Sequence, residues 1–235
     1  MPSNVLITGA NRGIGLAITR LYLDRGDRVF ACARRPERAV DLQSLAASHP
    51  QQLTILSLDV SDADSIRMAG EAVRSHTDTI DILINNAGIN PPEEDQTLDY
   101  IDFTTLLHVW RTNAAGPLIV VQHFLALLRR SEQAKIINLT SEMGSIEQTN
   151  GCGYYAYSSS KAALNMISRI LSNDLVPYQI IAVPVDPGWV QTDMGGPGAV
   201  LTPEESAAGV ARLIDRLTLA DSGKYWVWDG SQHEW

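Results

Sequence analysis

The strongest constraint on this chain is a regular alternation of two patterns. Short apolar runs of strand length are each followed by a stretch whose apolar residues recur at helical spacing. Strands are expected at residues 5–8, 28–33, 53–58, 80–84, 135–139, 180–185 and 225–228. After the first run, Ile14, Ala17, Ile18 and Leu21 mark one face of a helix. Further helical stretches are expected over 39–48, 63–75, 102–130, 157–174 and 203–218. The last opens well, with Thr202 as N-cap, Pro203 at the first helical position and Glu204 and Glu205 in the first turn. Strand–helix alternation builds βαβ units, so the expected fold class is α/β: a doubly wound parallel sheet of about seven strands with helices on both faces. A chain of 235 residues can form one such domain, taken here as 1–235. Ligands of these sheets bind at the carboxyl ends of the strands, so the loops after each strand carry the functional argument.

Composition removes several classes of function. A net charge of −9, with basic pairs only at Arg34-Arg35 and Arg129-Arg130, argues against a nucleic-acid partner. Cys32 and Cys152 have neither metal-type spacing nor a disulfide framework, so no metal site is expected and the chain reads as cytoplasmic. The start MPSNVLITG lacks the basic region of a signal peptide, and no apolar stretch is long enough to span a bilayer. Asn138-Leu139-Thr140 matches a glycosylation sequon, but it continues an expected buried strand.

The loop after the first strand reads TGANRGIG, with Gly9, Gly13 and Gly15 between strand and helix. Glycines there let the backbone turn tightly and approach a pyrophosphate, which the helix N-terminus attracts. Asn11, Arg12 and Ile14 belong to the same turn. The second strand ends Ala33-Arg34-Arg35, with no acidic residue to bind a ribose 2′-hydroxyl. Arg34 suits the 2′-phosphate of NADP(H), which is favoured over NAD(H), and Arg12 could reach the same group. The alternative is that Arg34 and Arg35 are solvated loop charges; Arg35 is expected to point to solvent. Asp59-Val60 follows the third strand, and Asn85-Asn86-Ala87-Gly88 the fourth. Asp59 could equally be a turn or capping residue.

The fifth strand leads into Thr140-Ser141-Glu142, then Gly144 and Ser145. Further on, Tyr157 and Lys161 are four apart and share one helical face. Lys161 is one of only three lysines, with Lys135 and Lys224. An ammonium beside a phenol favours the phenolate, so the Tyr157 pKa is expected to fall toward the working range of a proton donor. Asp186-Pro187-Gly188-Trp189-Val190-Gln191-Thr192 follows the sixth strand.

Taken in order, TGxxxGxG, NNAG, a serine-bearing strand end and YxxxK resemble the short-chain dehydrogenase/reductase family over essentially the whole chain. The type is the single-domain classical one, with a Rossmann-type fold. GSIEQ, GWVQTDMGG, the C-terminal Trp-Asp-Gly and Trp235 look closest to carbonyl reductases of the C-factor and sniffer type. The resemblance implies hydride exchange between NADP(H) and a small carbonyl or alcohol substrate. It implies a catalytic set of Asn113, Ser141, Tyr157 and Lys161. Tyr157 would be the general acid/base, Ser141 would orient the carbonyl oxygen, and Lys161 would hold the nicotinamide ribose and lower the tyrosine pKa. Asn113 would position a water. By the same resemblance Asp59 and Val60 would contact the adenine, and Asn86, Ala87 and Gly88 would lie along the cofactor. Pro187, Gly188, Val190 and Thr192 would pack on the nicotinamide end. A homo-oligomer, dimer or tetramer, is the expected assembly, with stretch 102–130 and the Tyr157 helix as contact faces.

Some departures stand out. Ser141 and Tyr157 are 157 − 141 = 16 residues apart, slightly more than is common in the family, which keeps Ser145 as a second candidate. Asp186 stands where a neutral residue or histidine is more usual, and the sequence offers no account of it. Gly195, Gly196 and Gly198 suggest a short mobile lid. Cys152, Tyr154, Tyr155 and Trp189 either line the substrate pocket or simply pack. The main alternative is a regulatory protein that binds NADP(H) without turnover, although such members typically lack the tyrosine or lysine. Longer epimerase-type relatives carry an added domain for which this chain has no room, and enoyl reductases space their tyrosine and lysine more widely.

Overall fold

The computed structural model describes residues 2–151 and 153–235. Seven strands form one parallel sheet: β1 (Asn4–Thr8), β2 (Arg28–Ala33), β3 (Leu53–Ser57), β4 (Ile82–Asn85), β5 (Lys135–Leu139), β6 (Ile181–Asp186) and β7 (Trp226–Val227). Their order is β3-β2-β1-β4-β5-β6-β7. The helices are α1 (Gly13–Asp24), α2 (Val40–Ser48), α3 (Ala63–Arg74), α4 (Phe103–Trp110), α5 (Gly116–Leu128), α6 (Tyr155–Asp174) and α7 (Pro203–Arg216). The expected elements are all present, with ends displaced by one or two residues in most cases.

The sheet is apolar on both faces because parallel strands are covered on both. Alternate residues of one strand therefore enter different cores. Val5 and Ile7 of β1 pack in a cluster with Leu16 and Ile18 of α1 and Val210 and Ile214 of α7. Leu6, between them, joins Val120, Phe124 and Leu128 of α5 and Leu171 of α6 on the other side. Thr202 caps α7 as the sequence predicts, and with Glu205 it forms a reciprocal capping box. No helix among the described residues is long and apolar enough to cross a membrane.

The stretch expected as one helix over 102–130 is interrupted. Arg111–Ala115 forms a π-helical turn between α4 and α5, and Asn113 sits at its centre. Such turns insert one extra residue per turn and re-aim side chains, often at functional sites.

A polar chain runs through the core behind the strand ends. Asn85 Nδ2 donates to Asn138 Oδ1 at 2.8 Å, and Asn138 Nδ2 donates to Ser168 Oγ of α6 at 2.8 Å. Asn138 is fully buried in β5, so the sequon lies in the sheet interior. Replacing Asn138 with Ala strands the Asn85 amide and should lower unfolding free energy by about 1–3 kcal/mol. Urea denaturation checks this, and an unchanged midpoint contradicts it.

Candidate active site

The site forms where the sheet order reverses. β1 pairs with β2 on one side and β4 on the other, and the loops leaving β1 and β4 diverge above the strand ends. A cleft of about 810 Å³ opens there. Its lining includes Gly9, Asn11, Arg12, Gly13, Ile14, Arg34, Asp59, Val60, Asn86, Ala87, Gly88, Tyr157, Lys161, Pro187 and Thr192.

The glycines of the first loop have separate reasons. Gly9 and Gly13 adopt φ of 65° and 52°, the left-handed region that disfavours side chains. Gly15 lies beneath the turn, where a Cβ would come within 2.4 Å of the Gly9 carbonyl and 2.5 Å of Asn86 Nδ2. Asn86 ties β4 to this turn by donating to the carbonyls of Thr8 at 2.8 Å and Gly9 at 2.9 Å. The Thr8 hydroxyl accepts from the Asn86 and Ala87 amides in return. The turn's shape is thus fixed by protein contacts. Arg12 caps α1 only through its backbone, so no side chain competes for the helix N-terminus.

At the far end of the cleft, β2 ends on Ala33, followed by exposed Arg34 and Arg35. Both arginines line the cleft, joined by Arg38, which the sequence reading missed. Arg35 is exposed to solvent as expected, and it also borders the open cleft. Arg12 pairs with Asp193 at 2.6 Å, linking the glycine turn to the segment after β6. Asp59 serves as a turn residue: Oδ1 accepts from Ser61 N at 2.9 Å and Ser61 Oγ at 2.7 Å. The Val60 carbonyl would meet a Cβ on Gly116 at 2.5 Å, so Gly116 lets α5 pack close to this loop.

On the other wall, α6 carries Tyr157 and Lys161, both largely buried. Lys161 Nζ donates to the Leu139 carbonyl at 2.8 Å and lies 5.6 Å from the Tyr157 ring centroid. The start of α6 has no local side-chain cap. Instead fully buried Gln96, 61 residues earlier, accepts from the Tyr157 N–H at 2.9 Å. Gln96 is itself held by Asn90 and the Pro91 carbonyl. Gln96 had no signal in the sequence beyond a polar residue in a loop after β4.

Asn113 is almost fully enclosed. Its Oδ1 accepts from Ile89 N at 2.8 Å, and its Nδ2 donates to Ile89 O at 2.8 Å and Ser160 Oγ at 3.0 Å. It therefore ties the β4 loop to α6. Ser141 follows β5 in an extended conformation, and its hydroxyl accepts from Met143 N at 3.3 Å. Ser145 is occupied elsewhere: its Oγ donates to the Glu234 carbonyl at 2.8 Å and accepts from Gln148 N at 3.1 Å. Ser141 is not among the residues lining the main cleft, but its side chain lies within hydrogen-bonding reach of the Tyr157 phenol.

Gly188, at φ 80°, packs where a Cβ would strike Leu201 at 2.5 Å, and Val190 bridges Leu201. Gly15, Gly188 and Val190 support the cleft from behind its lining. In the expected lid, Trp189 Nε1 donates to the Gly195 carbonyl at 2.8 Å and Gln191 Nε2 to the Ala199 carbonyl at 3.0 Å. Tyr154, Tyr155 and Trp189 do not line the main cleft; Tyr154 bonds Glu93 at 2.9 Å. Cys152 lies outside the described residues.

One electrostatic expectation is reversed. Burial pushes the Tyr157 phenol up to about 12, with Ser141 opposing and the Asp186 charge adding to the rise. Burial likewise depresses Lys161 to about 8, opposed by Asp186. Desolvation is the largest cause of both shifts, and Lys161 Nζ, which lies over the Tyr157 ring, donates to the Leu139 carbonyl.

Comparison with known proteins identifies the family of this fold. The family described as short chain dehydrogenase matches residues 3–198. The C-signal protein of Myxococcus xanthus is 40% identical over 159 residues, covering 68% of this chain and 95% of that protein. The fold superposes on NADPH-bound carbonyl reductase from chicken fatty liver with a TM-score of 0.94, at 36% identity over the whole of both chains. Carbonyl reductase Sniffer of D. melanogaster gives a TM-score of 0.94 at 32% identity, again over both whole chains. The chain belongs to the short-chain dehydrogenase/reductase family of oxidoreductases.

Proposed function

We propose that this protein is an NADP(H)-dependent carbonyl reductase in which Tyr157 acts as general acid/base on a small aldehyde or ketone, or on the corresponding alcohol. The observation that carries this reading is the placement of Tyr157 and Lys161 at one end of a cleft whose other end carries Arg34, Arg35 and Arg38. That separation of a proton donor from a cationic cluster suits a dinucleotide bearing an extra phosphate. The NADPH in the chicken enzyme supports the same choice.

The residues present fit such a cofactor. Gly9, Asn11 and Gly13, with the uncapped start of α1, form the cradle for the pyrophosphate. Arg34 takes the 2′-phosphate, with Arg35 and Arg38 alongside. Asp59 and Val60 border the adenine position, while Asn86, Ala87 and Gly88 run along the middle of the cleft. Pro187 and Thr192 close the nicotinamide end over Gly188 and Val190. When bound, NADPH supplies the hydride.

The chain's own groups handle the proton. Tyr157 keeps its proton throughout the neutral range, and its O–H donates to the carbonyl oxygen. Ser141 donates a second hydrogen bond to that oxygen and stabilises the charge that develops there. The Lys161 ammonium holds the ribose hydroxyls and, in the dry pocket, favours negative charge on Tyr157 as its proton leaves. Asn113 fixes the Ile89 backbone and Ser160 beside it, which keeps these groups in register. The apolar residues Phe103, Leu107, Met166 and Ile170, exposed on α4 and α6, support a homo-oligomer. A monomeric mass by light scattering contradicts that assembly.

Tyr157→Phe should retain NADPH binding and lose roughly 10²–10⁴-fold in carbonyl reduction, followed by NADPH absorbance. A variant as active as the wild type contradicts the role of Tyr157. The pH profile follows from the burial of the lysine. Reductive kcat/KM should be level through neutral pH and decline above about 8, where Lys161 loses its proton. A profile that stays flat until Tyr157 itself titrates near 12 contradicts the part given to Lys161. Arg34→Ala should weaken NADPH binding about tenfold to a hundredfold and leave NADH binding nearly unchanged. Equal losses for both nucleotides in a fluorescence titration contradict the phosphate assignment.

A further inference from the structure

Asp186, which the sequence left without a role, is the centre of a network that the proposed reaction does not use. It ends β6 and is only 5% exposed. Its Oδ2 lies 2.8 Å from His233 Nε2, and its Oδ1 accepts from the Gly188 N–H at 2.9 Å. Its own carbonyl accepts from Trp228 N at 2.8 Å. A buried carboxylate is expensive without a partner, and His233 is the partner provided.

His233 in turn fixes the segment 233–235. Its N–H donates to the Tyr225 carbonyl at 3.0 Å, and its ring packs 4.9 Å from that of Tyr225. The other flank of Tyr225 meets Trp235 at 5.5 Å. The Tyr225 hydroxyl donates to the backbone carbonyl of Ser141. The same segment reaches the loop beyond Ser141. The Glu234 carbonyl accepts from Ser145 Oγ at 2.8 Å, and the Trp235 carbonyl accepts from Glu147 N at 2.9 Å. Segment 233–235 and Tyr225 therefore hold residues 141, 145 and 147 through three hydrogen bonds, and Asp186 holds the segment.

We propose that Asp186 and His233 clasp segment 233–235 as a strap that positions the Ser141 loop for reaction, His233 serving as a positioning residue. This rests on the reading that Ser141 touches the carbonyl oxygen. The long gap between Ser141 and Tyr157 then has a consequence: a longer loop needs an outside tether, and the strap supplies it. The groups facing the imidazole are Asp186, Glu142, Asp229 and Tyr225. The hydrogen bond to Asp186, against the opposing effect of burial, and the charges of Asp186, Glu142 and Asp229 hold the imidazole above its usual range, which strengthens the clasp.

The test compares His233→Ala, His233→Gln and Trp235→Ala in the full chain, with three readouts: steady-state reduction, NADPH affinity and amide exchange across residues 141–149. His233→Ala should lower kcat at least about tenfold while NADPH affinity stays within about twofold. His233→Gln, whose amide can still donate to Asp186, should recover most of the loss. Both His233→Ala and Trp235→Ala should speed exchange at 141–149 and leave β1 and β4 protected. A folded His233→Ala with wild-type kcat overturns the proposal, as does an equal fall in kcat and NADPH affinity, or a failure of His233→Gln to rescue. If His233→Ala does not fold, Trp235→Ala decides, and unchanged kcat and exchange in it overturn the strap. An inactive wild type refutes the reductase reading instead; unchanged exchange at 141–149 in His233→Ala then overturns the strap by itself.

Discussion

Everything at this site depends on the pairing of β1 with β4. The chain builds outward from β1 through β2 to β3, then returns across the sheet to start again at β4. That return makes adjacent loops leave the sheet in opposite directions, and the crevice between them is the cleft. The hydrogen bonds from Asn86 to the Thr8 and Gly9 carbonyls tie the two loops together at their base. The glycine turn, the arginines after β2 and the Tyr157 helix take their places relative to that junction.

Electrostatics sets the second layer. Burial works against the charged forms of the two paired residues: it raises the Tyr157 phenol and depresses the Lys161 ammonium. Asp186, buried at the end of β6, acts in the opposite direction on the lysine and is itself matched to His233. The site is thus a small set of mutually dependent polar groups in a dry wall. Its backbone supports are equally interlocked, with Leu139 accepting from Lys161 and Gln96 accepting from the Tyr157 N–H.

Much of this was legible in the sequence, for identifiable reasons. Parallel strands covered on both faces read as unbroken apolar runs, so strand existence was plain and only the ends shifted. Gly9, Arg34, Tyr157 and Lys161, which share one cleft, were legible as candidates because short-range spacing encodes their positions on a turn or one helical face. What escaped is long-range. The π turn at Asn113 is held by side-chain bonds to the Ile89 backbone and to Ser160, and within 102–130 only the Gly116-Pro117 pair marks a break. Gln96 acts on a residue 61 positions away, and His233 on one 47 positions away. The choice between Ser141 and Ser145 needed the Glu234 carbonyl, which comes from the other end of the chain. The direction of the Tyr157 shift was misjudged because spacing reveals a neighbouring charge but not the depth of burial.

The most direct measurement is the fate of the hydride. The protein would be incubated with NADPH deuterated at C4 of the nicotinamide and a panel of aldehydes and ketones, and the products examined by mass spectrometry. The account predicts an alcohol carrying one deuterium on the carbinol carbon, formed by the wild type and lost in Tyr157→Phe. Tight NADPH binding with no labelled alcohol from any carbonyl would contradict it and leave a nucleotide-binding protein without turnover.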